Sequence, residues 1–201
     1  MQGYRRSMED AHTCVEHVVG LPSCSLFAVF DGHSGKQVSA ECASSVRTTF
    51  EGAVEEGRGE TNPGATRRLS RALADTFQRC AYWHTQSAVY SNRSRPSAST
   101  QRMDSAMQEL YIASNGCAMN AGSTANACLV TPTHFICGNA GDTRCVLFTG
   151  GAPVPLSTDH KPTLDAERKR IQKAGGIVSG GRVNGCLAVS RAMGDFVSGV
   201  C

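Results

Sequence analysis

No stretch of this 201-residue chain holds eighteen consecutive apolar residues, so the sequence offers no candidate for a bilayer-spanning helix. Charge of one sign is scarce as well. Twenty Lys and Arg against 17 Asp and Glu leave a net +3, too small and too scattered to suggest a nucleic-acid surface. The opening residues lack the apolar core of a signal peptide, because Arg5, Arg6, Glu9 and Asp10 interrupt it, and the expected compartment is therefore the cytoplasm or nucleus. Ten cysteines are present, yet no two form a Cys-x-x-Cys pair. That spacing argues against both a disulfide framework and a structural zinc site. Cys128, Cys137 and Cys145 fall in strand-like apolar segments and read as reduced, packed thiols.

What remains is ordinary in bulk: 40% hydrophobic and 18% charged residues over 201 positions, enough for one sizeable core in one domain. The informative part lies near the start. Ser25 to Phe30 is an apolar run that reads as a buried strand, and Asp31-Gly32-His33 follows it directly. A carboxylate at a strand end is presented rigidly without being buried unpaired, which is how a metal ligand is placed. Gly32 lets the backbone approach closely and exposes a carbonyl oxygen, and His33 exchanges protons near neutral pH. Oxygen ligands beside an imidazole suit magnesium or manganese. The same residues also spell a common strand-end turn. Upstream, Arg5-Arg6-Ser7-Met8-Glu9-Asp10 forms a second acid-bearing cluster.

Helical periodicity runs over Gly35–Glu56 and Thr66–Tyr90, the second with Leu69, Leu73, Phe77 and Cys80 on one face. Trp83 and His84 near that stripe read as packing or helix-surface residues. A polar stretch breaks the period and predicts a mobile loop near residues 91–108. From Gly122 onward the spacing predicts a meander of short antiparallel strands at Thr124–Val130, His134–Cys137 and Arg144–Phe148. Asp142 falls between two of them, as a strand-end ligand or as turn chemistry. Leu164–Ala174 predicts a short helix with Leu164, Ile171 and Ala174 inward and Glu167, Arg168, Lys169, Arg170 and Lys173 outward, closed by Gly175-Gly176. Ile177-Val178 and Gly185–Val189 read as further strands, followed by Ser190–Asp195.

In order, the chain carries Met1–Arg5, Met8–His12, Phe27–His33, Gly122–Ala125, Gly141–Arg144, Asp159–Pro162 and Arg182–Asp195. This series resembles the metal-dependent serine/threonine protein phosphatases of the 2C type. The resemblance implies an α/β (α+β) sandwich of two antiparallel sheets flanked by helices, with two Mg2+ or Mn2+ ions held between the sheets and a weaker third. It implies that Asp31 bridges the ions, that the Gly32 carbonyl binds one, and that Glu9 and Asp10 ligate ions or orient their waters. Asp142 would serve the third ion, with Thr124 supporting that outer site. Arg5 would grip the substrate phosphate and His33 would act as general acid. The implied activity is dephosphorylation of phosphoserine and phosphothreonine in phosphoprotein substrates by a monomer, with neither nucleic acid nor membrane as partner.

The family pattern also carries two acidic, metal-binding segments downstream of Arg191–Asp195, which a chain ending at Cys201 does not contain. Asp195 does not stand in for them, since its neighbours match a different segment. Met1-Gln2-Gly3 resembles an internal stretch, and Asn120 stands where the family has an aspartate. The expectation is a single partial domain over 1–201, truncated at both ends, with reduced metal affinity. The alternative expectation is a catalytically impaired phosphatase-like binding module.

Overall fold

Leu26, Ala28 and Phe30 alternate inward along one strand while Phe27 and Val29 point out, and this two-residue period sets the layer arrangement. A computed structural model describes residues 2–56, 65–81 and 121–195. Strands β1 (Ala11–Val15), β2 (Ser25–Phe30), β5 (Ala125–Val130) and β6 (Phe135–Ala140) form one antiparallel sheet in the order β1-β2-β5-β6. Its inner face meets helices α1 (Gln37–Glu56) and α2 (Ala65–Ala81). Phe30, Phe50, Leu26, Leu73 and Leu129 are the largest apolar side chains fully buried there. At about 1.5–3 kcal/mol for each such side chain, this layer dominates the stability of the described residues.

Three two-residue strands, β3 (Gly32–His33), β4 (Gly122–Ser123) and β11 (Met193–Gly194), make a second antiparallel sheet in the order β11-β4-β3. Strands β7 (Val146–Thr149) and β8 (Ala152–Pro155) form a hairpin closed at Gly150 and Gly151, both with positive φ. Helix α3 (Asp165–Lys173) is followed by the paired β9 (Val178–Ser179) and β10 (Arg182–Val183). The class is as expected: mixed α and β with antiparallel sheets.

Several details differ from the expectation. The β2 run is not buried on both sides, because Phe27 and Val29 are 42% and 48% exposed. An apolar run alone does not distinguish a two-sided from a one-sided strand. The anticipated strand at Gly185–Val189 is a tight turn: Gly185 has positive φ, and Val183 and Leu187 form an isolated bridge. Strand β6 runs on past the expected end at Cys137 through Gly138 and Asn139 to Ala140. In α3, Leu164 and Ala174 face out while Glu167 is buried with Ile171. The predicted end of the second helix beyond residue 81, Trp83, His84, Asn120 and the loop near 91–108 lie outside the described residues. Cys14, Cys24, Cys42, Cys128, Cys137, Cys145 and Cys186 are free thiols. No helix among the described residues is long and apolar enough to cross a membrane.

Candidate active site

The end of β2 delivers Asp31 to one edge of the molecule, and the chain then turns into β3 to deliver His33. Ser34 and Gly35, both at positive φ, complete that bend before α1. A Cβ on Gly32 would lie 2.2 Å from the Glu9 carbonyl oxygen. Glycine is therefore required for the two acid-bearing segments to meet. Ser39 on α1 donates to the same Glu9 carbonyl, so the helix holds the Glu9–Asp10 segment against the β2–β3 bend.

Thr124 joins this corner to the next. Its amide donates to the Asp31 carbonyl at 2.9 Å, and the Asp31 amide donates to Thr124 Oγ1 at 3.2 Å. Thr124 Oγ1 also hydrogen-bonds Thr143, beside Asp142. His160 clamps the far side of that loop, its amide donating to the Gly141 carbonyl at 2.8 Å and its Nδ1 accepting from the Gly141 amide.

Asp10, Asp31 and Asp142 converge as a result. Burial raises the Asp31 carboxyl above its ordinary value first, and the charges of Asp10 and Asp142, with a hydrogen bond from Asp10, push it further up, while His33 opposes them. Asp142 has a partner of its own, because Lys161 forms an ion pair with its carboxylate. Arg5 is exposed, and among the described residues no carboxylate pairs with its guanidinium.

His33 has the most defined contact. Its Nε2 lies 2.9 Å and 3.0 Å from the two carboxylate oxygens of Asp195. That hydrogen bond raises the imidazole above its ordinary value; burial opposes it, and the charges of Asp195, Asp31 and Glu9 reinforce it. Asp195 is a site residue that sequence reasoning missed, since no local signal says what faces the end of β11. The pairing of β3 with β4 and of β4 with β11 makes the contact.

A second charged group was also missed. Glu167 is 5% exposed and receives Arg191 at 2.6 Å and 3.0 Å, Arg170 at 3.0 Å and the Ser190 hydroxyl at 2.7 Å. Burial alone would raise this carboxyl, but the hydrogen bonds from Arg191, Arg170 and Ser190 outweigh it and hold it down to about 2. The node fixes Ser190 and Arg191, and with them the approach of the segment that ends at Asp195.

Measured against a divalent cation, the donor set fits in chemistry and charge, being carboxylates with the Gly32 carbonyl and carrying a repulsion that a cation would relieve. As it stands, no group of three or more acids, histidines or cysteines among the described residues is arranged closely enough to hold a metal ion. A thiol nucleophile has less support. Burial pushes Cys42 up to about 12, Cys128 to about 11 and Cys137 to about 12, the last two beside Cys145. A reactive cysteine needs the opposite shift.

Set beside known proteins, the chain matches the family model of protein phosphatase 2C over residues 1–198, and it belongs to that family. It is 34% identical over 208 residues to the probable protein phosphatase 2C 42 of Oryza sativa subsp. japonica, covering 98% of this chain and 56% of that one. It is 36% identical over 197 residues to protein phosphatase 1B of Mus musculus, covering 98% of this chain and 45% of that one. The chain spans about half the length of these curated relatives. The fold resembles a serine-threonine phosphatase 2C from Toxoplasma gondii, with TM-score 0.66 and 20% identity over 96% of this chain and 65% of that one. It also resembles a C. elegans sex determining protein, with TM-score 0.68 and 24% identity over 98% of this chain and 43% of that one. The family is metal-dependent, and its name carries phosphoproteins as the class of substrate.

Proposed function

We propose that this chain provides the phosphate-binding half-site and proton donor of a protein serine/threonine phosphatase that uses Mg2+ or Mn2+, two ions with a weaker third. The observation that carries the reading is the convergence of Asp10, Asp31 and Asp142 beside the His33 imidazole. Asp31, Asp10, Glu9 and the Gly32 carbonyl would hold the inner ions, and Asp142 with Thr124 behind it the outer one. The chemistry these ions supply when bound is a water acidified enough to attack phosphorus at neutral pH. Arg5 offers a planar fork of donors to the phosphate oxygens and orients the ester for in-line attack. His33 gives a proton to the departing serine or threonine oxygen, which lowers the barrier to expelling an alkoxide.

The test is hydrolysis of p-nitrophenyl phosphate and a phosphothreonine peptide by the 201-residue chain with Mn2+ supplied, with Asp31→Asn as control. Turnover that requires both Mn2+ and Asp31 is expected. A folded chain that turns over neither substrate sinks the enzyme reading. One observation favours a second reading, a phosphate-binding module without turnover: Lys161 already neutralises Asp142, and no three-donor group is formed among the described residues. Binding of the phosphopeptide without hydrolysis would select it.

A further inference from the structure

Asp195 and His33 are not on adjacent strands. The register pairs His33 with Gly122 and Gly122 with Gly194, so β4 lies between them. The two side chains meet by reaching across a residue that has none. A Cβ on Gly122 would sit 2.3 Å from His33 Nε2 and 2.4 Å from Asp195 Oδ2, inside both groups. The backbone is equally committed. Asp195 takes φ 56°, uncommon for a residue with a side chain, and its amide donates 2.9 Å to the Ala121 carbonyl. Gly194, at φ 79°, runs so close that a Cβ would meet the same carbonyl at 2.6 Å.

The carboxylate delivered by this backbone is 4% exposed, and His33 is its one described partner. A buried carboxylate is retained where something answers its charge, and here that is the Nε2–H of one imidazole. His33 Nδ1 has no hydrogen-bond partner among the described residues, and the ring is about one third exposed. Fixing one ring nitrogen determines which one is left for chemistry.

We propose that Asp195 is a positioning residue for His33, holding Nε2–H so that Nδ1 is the nitrogen that protonates the leaving oxygen. The proposal rests on the phosphatase reading above. As the attacking water forms its bond to phosphorus, the bond to the serine or threonine oxygen breaks with its electron pair on that oxygen. The pair takes the Nδ1 proton, Nε2 keeps its own on Asp195, and the ring regains a proton from the attacking water by way of solvent.

The leaving group separates this role from a structural one. A phosphothreonine peptide expels an alkoxide and needs the proton; p-nitrophenyl phosphate expels a stable phenolate and needs it far less. With Mn2+ supplied, Asp195→Asn is expected to lower kcat on the peptide by about 10- to 100-fold, and on p-nitrophenyl phosphate by about tenfold less than that. His33→Gln should show the same split. The double variant should lose little beyond either single one, as expected for two groups acting as a unit. In the NMR spectrum of the histidine-labelled wild type, an exchange-protected, downfield Nε2 proton should be present, and Asp195→Asn should abolish it. Equal losses on both substrates, or additive losses in the double variant, would overturn the proposal, as would an Nε2 proton unchanged by Asp195→Asn. A wild type inactive on both substrates would instead be the failure of the phosphatase reading itself.

Discussion

Two charged clusters in this molecule are built in opposite ways. Around Glu167, one carboxylate meets two guanidinium groups and a hydroxyl, and its carboxyl is held down to about 2. Around Asp31, carboxylates gather with too little cation, and the central one is pushed up, by burial first and by its acidic neighbours next. The first cluster answers its own charge and ties α3 to the segment leading to Asp195. The second leaves a deficit that something from outside must meet. Lys161 answers part of it at Asp142. A charge cluster in balance is a structural joint, and a cluster out of balance is a place for a ligand.

Removing one carboxyl charge from each should therefore move stability in opposite directions. Glu167→Gln leaves Arg191 and Arg170 without their acceptor and is expected to destabilise the fold by about 3 kcal/mol, read from urea denaturation without metal. Asp31→Asn relieves repulsion and should stabilise by about 0.5–1 kcal/mol in the same buffer while abolishing any stabilisation by Mn2+. A loss of stability in both variants would break the comparison.

The pH dependence sharpens it. Glu167 binds its proton less readily folded, at about 2, than at its ordinary 4.5. Its contribution is complete above about 4.5 and drains as pH falls from there through 2, on the order of 3 kcal/mol in all. Glu167→Gln should flatten that acid limb. Gly122→Ala, which forces a methyl group between His33 and Asp195, should follow at about 1–3 kcal/mol. The smallest effect belongs to Lys161→Met. Its partly exposed ion pair with Asp142 contributes less than about 1 kcal/mol, so stability should barely change while Mn2+ binding tightens. Mn2+ titration followed by calorimetry would show whether it does.

How much of this was legible beforehand follows from the range of each interaction. Helices α1 and α3 and the run of β2 were read within a few residues, because their periodicity is local. The position of Asp31 at a strand end came from the same signal. Glu167 was misread as part of a solvated face, since an acid in a largely basic helical stretch looks the same whether its partners are water or an arginine 24 residues on. Asp195 was quoted within a motif without a role. Its partner is 162 residues away in sequence and two strands away in space, and only the register of three two-residue strands reveals it.

Strand order also assigns different lifetimes to the two halves of the site. Strand β2 is hydrogen-bonded on both sides, to β1 and to β5, and Asp31 is its continuation. Amides in such a strand exchange with solvent only through the largest opening of the domain, whereas two-residue strands at a margin of the sheet, as β11 is among the described residues, open on their own at far lower free energy. Asp195 hangs from one of these. The carboxylate platform should thus persist through fluctuations that repeatedly release and re-form the grip on the imidazole, and the lifetime of that grip would be set by the short strands of the second sheet rather than by the four-stranded one.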